Sequence, residues 1–358
     1  MKKLVIKNIG QIISGKMEEP IFDGDCMIAK DGKITEWGYE KDLDCEGATT
    51  LVDAHGVTVM PGLIDSHIHP VIGDYTPRQQ QLNWIDSTLH GGVTTLISAG
   101  EVHMPGRPKD IVGLKAMAIA AQRWYENFRP SGVKVHAGAP VIEHGMVEQD
   151  FKDLADAGVT LLGEVGLGTV KDGKTAQQMV SWARKYGIQS TIHTGGPSIP
   201  GSGLIDADMV METGTDVIGH INGGHSALPD DQIICLCENC SSAFEIVHNG
   251  NERSAVLTIN TARELGKLDQ VILGTDGPAG SGVQPLGIMR MVAMLSAFGN
   301  VPAAEAFCFG HGNTSRQRKL DTGLIEVGYA ADFVLLDKAQ HAPGKTMLES
   351  VQLGNLPG

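Results

Sequence analysis

The chain has 358 residues, 42% of them hydrophobic and 20% charged, with a formal charge of −14. That composition describes a globular protein with a large core and room for about two domains. The acidic balance excludes a nucleic-acid or anionic-membrane partner held by charge, since both require a basic face.

Residues 1–57 alternate apolar and polar positions (LVIKNIGQIIS, CMIAKDGKITEWG) and include an Asp31-Gly32 turn, which is a hairpin signal. Lys7 interrupts the first apolar run, so the opening lacks the apolar stretch of a secretory leader. No later segment reaches the roughly 20 apolar residues of a membrane span. A cytoplasmic protein is expected.

From residue 58 the pattern changes. Short apolar runs end in glycine or in polar residues: VTVMPGLIDSHIH, GVTTLISAG, GVKVHAGAPV, GVTLLGEVGLG, GIQSTIHTGG, TDVIGHINGG, SAFEIVHNG and QVILGTDGPAG. Segments with apolar residues near a helical period separate them, among them DIVGLKAMAIAAQRWYENF, TAQQMVSWARKYG and SAVLTINTARELG. Eight β/α units predict an α/β fold, a TIM barrel over residues 58–318. A doubly wound open sheet is the alternative, but it gives no reason for the strands to finish in polar residues together. Toward the C-terminus, GLIEVGYAADFVLLD offers two more strands. Residues 1–57 and 319–358 are therefore expected to form one small β-sandwich domain.

In a parallel barrel, active-site groups sit at the C-terminal ends of the strands. Those ends carry His67 and His69 from strand 1, Glu164 from strand 4, His193 from strand 5, His220 from strand 6, His248 from strand 7 and Asp276 from strand 8. His67 and His69 stand two apart, so on a strand they share a face. A lone strand-end histidine is usually a hydrogen-bonded structural residue. Six donors at one end of five strands point instead to a metal site. Four histidines and two carboxylates exceed one tetrahedral shell, so the economical arrangement is two divalent cations. Glu164 would bridge them, with His67, His69 and Asp276 on one and His193 and His220 on the other. Such ligands suit zinc or iron and do not exclude manganese or nickel. Two bound cations supply a nucleophile at neutral pH and polarise a carbonyl. Cys235, Cys237 and Cys240 have no second cysteine or histidine pair near them in sequence and read as packing residues in a helix. His90, His103, His136, His144 and His311 read as structural or surface residues.

An HxH after strand 1, a bridging residue on strand 4, histidines on strands 5 and 6 and an aspartate on strand 8 together resemble the amidohydrolase superfamily. At the bridging position GEVGLG provides Glu164 and no lysine, so a carbamylated-lysine bridge is disfavoured. Longer blocks (DYTPRQ, LHGGVTT, PGRPKD, HTGGPSIPGS, HINGG, GTDGPAGSG) are similar to the enamidase branch of that superfamily. The resemblance implies a zinc- and iron-dependent hydrolase that opens a cyclic enamide, 6-oxo-1,4,5,6-tetrahydronicotinate, to 2-formylglutarate and ammonia, as a homotetramer. His225 and His248 lie outside the ligand set implied by that resemblance. Asp276 would serve as catalytic base as well as ligand. A carboxylate-bearing substrate needs a cation, for which Arg78 is the candidate, and Asn222 or His248 could also touch substrate. Asn222 could equally shape the HINGG turn. The rivals are another hydrolase of the superfamily, acting on an imide, an isoaspartyl dipeptide or an amidine, and a non-catalytic barrel scaffold.

Overall fold

The computed structural model describes residues 2–358 except 78, 102, 103, 105, 225 and 279–281. Among the described residues, the apolar runs form eight barrel strands. These are β1 (Leu63–Ile68), β2 (Val93–Ser98), β3 (Lys134–His136), β4 (Leu161–Val165), β5 (Gln189–Ile192), β6 (Val217–Ile218), β7 (Ala243–Val247) and β8 (Val271–Gly274). β1, β2 and β3 are neighbours in one sheet, and β4 to β8 follow one another in parallel in a second. Two seams join the sheets into a ring. At one, Gly163 N donates to Pro140 O at 2.9 Å and Glu164 N to Ala99 O at 2.8 Å. At the other, Asp276 N donates to His67 O at 2.9 Å and His69 N to Gly277 O at 2.8 Å. The result is a TIM barrel. β4, β7 and β8 are buried along their whole length, which is why they read as near-continuous apolar runs and not as alternating ones.

Helices follow the strands, and short polar side chains start them. Asp110, Asp172, Asp206 and Asn251 accept the backbone N–H of Gly113, Thr175, Met209 and Ser254, three residues ahead, at 2.8–3.1 Å. Each satisfies one of the donors that a helix N-terminus leaves open, an effect of about 1 kcal/mol per cap. β1 departs from the pattern: it is followed by a two-stranded hairpin (Tyr75–Thr76 with Gln81–Leu82) and two adjoining short helical turns, Trp84–Ser87 and Thr88–Gly91.

By packing, the chain falls into two compact units, Asp65–Ile288 and Met1–Ile64 together with Met289–Gly358. The second contains two four-stranded sheets. One orders Lys33–Gly38, Cys26–Lys30, Lys3–Lys7 and Thr50–Asp53; the other orders Phe333–Leu336, Thr58–Pro61, Gln11–Lys16 and Glu19–Phe22. Phe333–Leu336 pairs antiparallel with Thr58–Pro61, so both ends of the chain contribute. Ile6, Met27 and Ile34 from one sheet share a core with Ile12, Phe22 and Val59 from the other. No described helix is long and apolar enough to cross a membrane.

Candidate metal centre

The sequence places the six donors at strand ends, and the barrel brings them together. His67 lies in β1 and His69 just beyond it, Glu164 lies within β4, His193 follows β5, His220 follows β6 and Asp276 follows β8. Glu164 sits among the histidines, its Oε1 2.7 Å from His220 Nε2, 3.2 Å from His193 Nδ1 and 3.7 Å from His67 Nε2. Asp276 Oδ1 lies 3.0 Å from His69 Nε2 and 3.7 Å from His67 Nε2. The backbone is shaped around this convergence. His220 (φ +33°) and Asp276 (φ +61°) occupy the left-handed region, a costly conformation for non-glycine residues that the surrounding packing must enforce. A Cβ on Gly274 would stand 2.5 Å from that of His67, so only glycine lets β8 approach the histidine so closely.

Each ring is held by its outer nitrogen. His67 Nδ1 donates to Glu245 Oε2 at 2.5 Å, His69 Nδ1 to Gly100 O at 2.8 Å and His193 Nε2 to Gly196 O at 2.8 Å. The opposite nitrogens of these rings then direct lone pairs toward Glu164 and Asp276. Lone pairs facing carboxylates are stable only around positive charge. Burial by itself lowers the basicity of His67, His69 and His193, but the adjoining carboxylates outweigh it and raise all three. Burial likewise pushes the carboxyls of Glu164 and Asp276 upward, and hydrogen bonds and charge from the histidines overcome it, holding both below the usual carboxylate range.

That arrangement fits divalent cations. One set of donor atoms (His67, His69, Asp276) and another (His67, Glu164, His220) each lie within 4.8 Å of one another, the reach of a single ion. His67 Nε2 is buried and makes no hydrogen bond among the described residues. Nitrogen and carboxylate oxygen are the donors that zinc and other first-row ions accept. Among the described residues, no cysteine enters a potential metal-binding group. Burial pushes the Cys237 thiol up to about 12, and Lys267 Nζ binds the carbonyls of Cys237 and Cys240, so this segment is an ordinary helix end.

The remaining candidates are placed differently. Arg78 lies outside the described residues, as do His103 and His225. Asn222 is fully buried, and its side chain clamps β7: Oδ1 accepts from Val247 N at 2.9 Å and Nδ2 donates to Val247 O at 3.0 Å. This is the turn-shaping arrangement, and it commits the amide to the backbone. His248 is half-buried, with its N–H on Gly274 O at 3.0 Å. Three supporting residues escaped the sequence reading. Glu245 holds His67; Asn249 Nδ2 donates to Asp276 O at 3.2 Å; and Asp65 accepts from Thr275 N at 2.9 Å and from His67 N at 3.2 Å. Glu245 did carry a signal, being a carboxylate inside the otherwise apolar AFEIV, where a buried charge requires a partner.

Comparison with known proteins follows the same line. Residues 58–355 match the model of the amidohydrolase family. The enamidase of Eubacterium barkeri is 43% identical over 358 residues, covering 100% of this chain and 93% of that protein. A crystal structure of enamidase superposes with a TM-score of 0.97 at 42% identity, over 100% of this chain and 93% of that one. A β-aspartyl dipeptidase from Fervidobacterium islandicum AW-1 superposes at 0.66 with 20% identity, over 93% and 91% of the two chains, and shares the fold. A ring of eight strands with these donors at one rim, and full-length similarity of this degree, establish that the chain belongs to the amidohydrolase family.

Proposed function

We propose that this chain is a metal-dependent hydrolase that opens a cyclic enamide, 6-oxo-1,4,5,6-tetrahydronicotinate, to 2-formylglutarate and ammonia. The observation that carries the reading is the convergence of His67, His69, Glu164, His193, His220 and Asp276 at one end of the barrel, in a chain 43% identical to an enamidase. His67, His69 and Asp276 would hold one divalent cation and His193 and His220 a second, with Glu164 between them. When bound, such a pair lowers the pKa of water and polarises a carbonyl. Zinc and iron are the proposed ions.

The chain's own groups account for the proton traffic. The Asp276 side chain is 14% exposed, against 3% for Glu164 and 0% for Glu245, so it is the carboxylate that meets substrate. As water adds to the ring carbonyl, Asp276 takes its proton. Asp276 then delivers that proton to the ring nitrogen, which leaves poorly without it, and the C–N bond breaks. The released enamine tautomerises to an imine, and a second water converts this to aldehyde and ammonia. Glu164 stays among the histidines throughout, and His67, His69 and His193 are fixed by their outer hydrogen bonds. The proposal extends to a cytoplasmic homotetramer in nicotinate breakdown, a β-sandwich formed by residues 1–57 and 319–358, and a barrel over 58–318 that carries the chemistry.

The test is ammonia release from 6-oxo-1,4,5,6-tetrahydronicotinate beside hydantoin, dihydroorotate and an isoaspartyl dipeptide, on protein of measured metal content. The enamide is expected to be the preferred substrate. Faster turnover of one of the others would replace this reading with a different superfamily activity.

A further inference from the structure

We propose that Glu245 is a positioning residue that makes the two cation sites unequal. It fixes His67 as the tautomer with its lone pair on Nε2 and adds negative charge behind that one ligand. The inference rests on the metal reading above and goes beyond it, since it concerns how this chain sets the strength of each site.

The four histidines are held by different partners. His69 and His193 donate their outer N–H groups to the backbone carbonyls of Gly100 and Gly196, both at 2.8 Å. His220 Nδ1 faces the Thr194 hydroxyl at 3.5 Å. His67 donates to a carboxylate, Glu245 Oε2, at 2.5 Å, and the side chains of both residues are 0% exposed. A carboxylate behind an imidazole withdraws the Nδ1 proton and enriches Nε2, strengthening it as a ligand, whereas a carbonyl mainly orients the ring. The Glu245 carboxylate is itself anchored, its Oε1 accepting from Ser66 Oγ at 2.5 Å. The backbone of the same residue reaches the other half of the site: Ile221 N, next to His220, donates to Glu245 O at 2.8 Å. His67 Nε2 lies 3.7 Å from both Asp276 Oδ1 and Glu164 Oε1; in the assignment proposed above His67 serves the cation held with His69 and Asp276, so the extra charge falls on that site. The His193 and His220 site lacks such support among the described residues.

Glu245→Gln separates charge from geometry. Its amide oxygen still accepts from His67 Nδ1 and preserves the tautomer, but the charge is gone. Full-length protein is stripped, reloaded with zinc and titrated against a chromophoric chelator, and the midpoint of the stripped form is measured by thermal denaturation. Wild type should retain two zinc ions per chain. E245Q should keep one with unchanged affinity and bind the other about 10–100-fold more weakly, with the stripped midpoint near wild type. Ser66→Ala, which leaves the carboxylate on His67, should retain both. Two zinc ions held as tightly in E245Q as in wild type would overturn the proposal. So would parallel weakening of both sites with a lowered stripped midpoint, the signature of a mere tie between β7 and β1. If E245Q does not fold, Glu245→Asp withdraws the carboxylate from Nδ1 and must show the same one-site loss; equal retention there overturns the proposal as well. A wild-type chain that takes up no zinc sinks the metal reading itself, a distinguishable failure.

Discussion

Asp276 and His311 show how far a residue's surroundings decide its role. Asp276 is held in a left-handed conformation by hydrogen bonds on both sides, its N–H on His67 O and its carbonyl on Asn249. Replacing it by Asn keeps the shape and one ligand oxygen but removes the proton acceptor. Metal content should stay close to wild type while kcat falls about 10²–10⁴-fold; comparable turnover in that variant would remove Asp276 from the mechanism. His311 is the opposite case, a histidine whose Nδ1 accepts from Gly312 N at 2.8 Å while its ring stacks on Phe307. Burial pushes its pKa down from 6.5 to about 3. The unfolded chain therefore binds a proton that the folded one does not, so His311 subtracts stability as pH falls below 6.5. His311→Asn should reduce the loss of stability between pH 7 and pH 5 by about 2 kcal/mol in urea titrations. An unchanged pH dependence would show that the ring is protonated in the fold. The six proposed ligands could be picked out in the sequence because each lies at or near the end of an apolar run. Asn249 could not, and Glu245 showed only as a carboxylate in an apolar run, because the role of each depends on which side chain the neighbouring strand supplies.

Elements were legible where burial repeats a pattern and obscure where it does not. Doubly buried parallel strands gave apolar runs, and these marked even the two-residue β6 (Val217–Ile218) through the histidine that follows it. What runs between a strand and its helix is set by side chains that substitute for backbone, a relation invisible in one dimension. The loop after β6 is the clearest instance. Asn222 pairs with both backbone groups of Val247, extending the barrel ladder past the end of β6. Gly250 is required beside it, since a Cβ there would stand 2.1 Å from Asn222 Nδ2. Asn222→Ala leaves a buried donor and a buried acceptor on Val247 without this partner, at about 1–3 kcal/mol each. A loss of about 2–6 kcal/mol is expected, with faster amide exchange at Ile221 and Gly223, the residues flanking the clamp. Full stability with reduced turnover would instead mean that the amide reaches substrate.

For the whole barrel, the proposed metal site would work as a clasp. Its six donors come from β1, β4, β5, β6 and β8, so the cations they hold would tie five of the eight strands together at the rim. Below the rim these strands bury apolar side chains such as Leu162, Val217 and Ile272, whereas at the rim they present buried carboxylates and imidazoles. Stripped of metal, this cluster must satisfy itself with protons and short contacts such as Glu164 to His220, a weaker arrangement than shared coordination. A ligand that binds the folded chain alone stabilises it by about 4 kcal/mol when free metal exceeds its dissociation constant a thousandfold. Chelation should therefore abolish turnover and lower the thermal midpoint by several degrees, and adding zinc back should restore both. The two readouts discriminate: loss of activity at constant midpoint would mean that the cations serve the chemistry alone, and that His67, His69, Glu164, His193, His220 and Asp276 hold the rim together as a polar network without them.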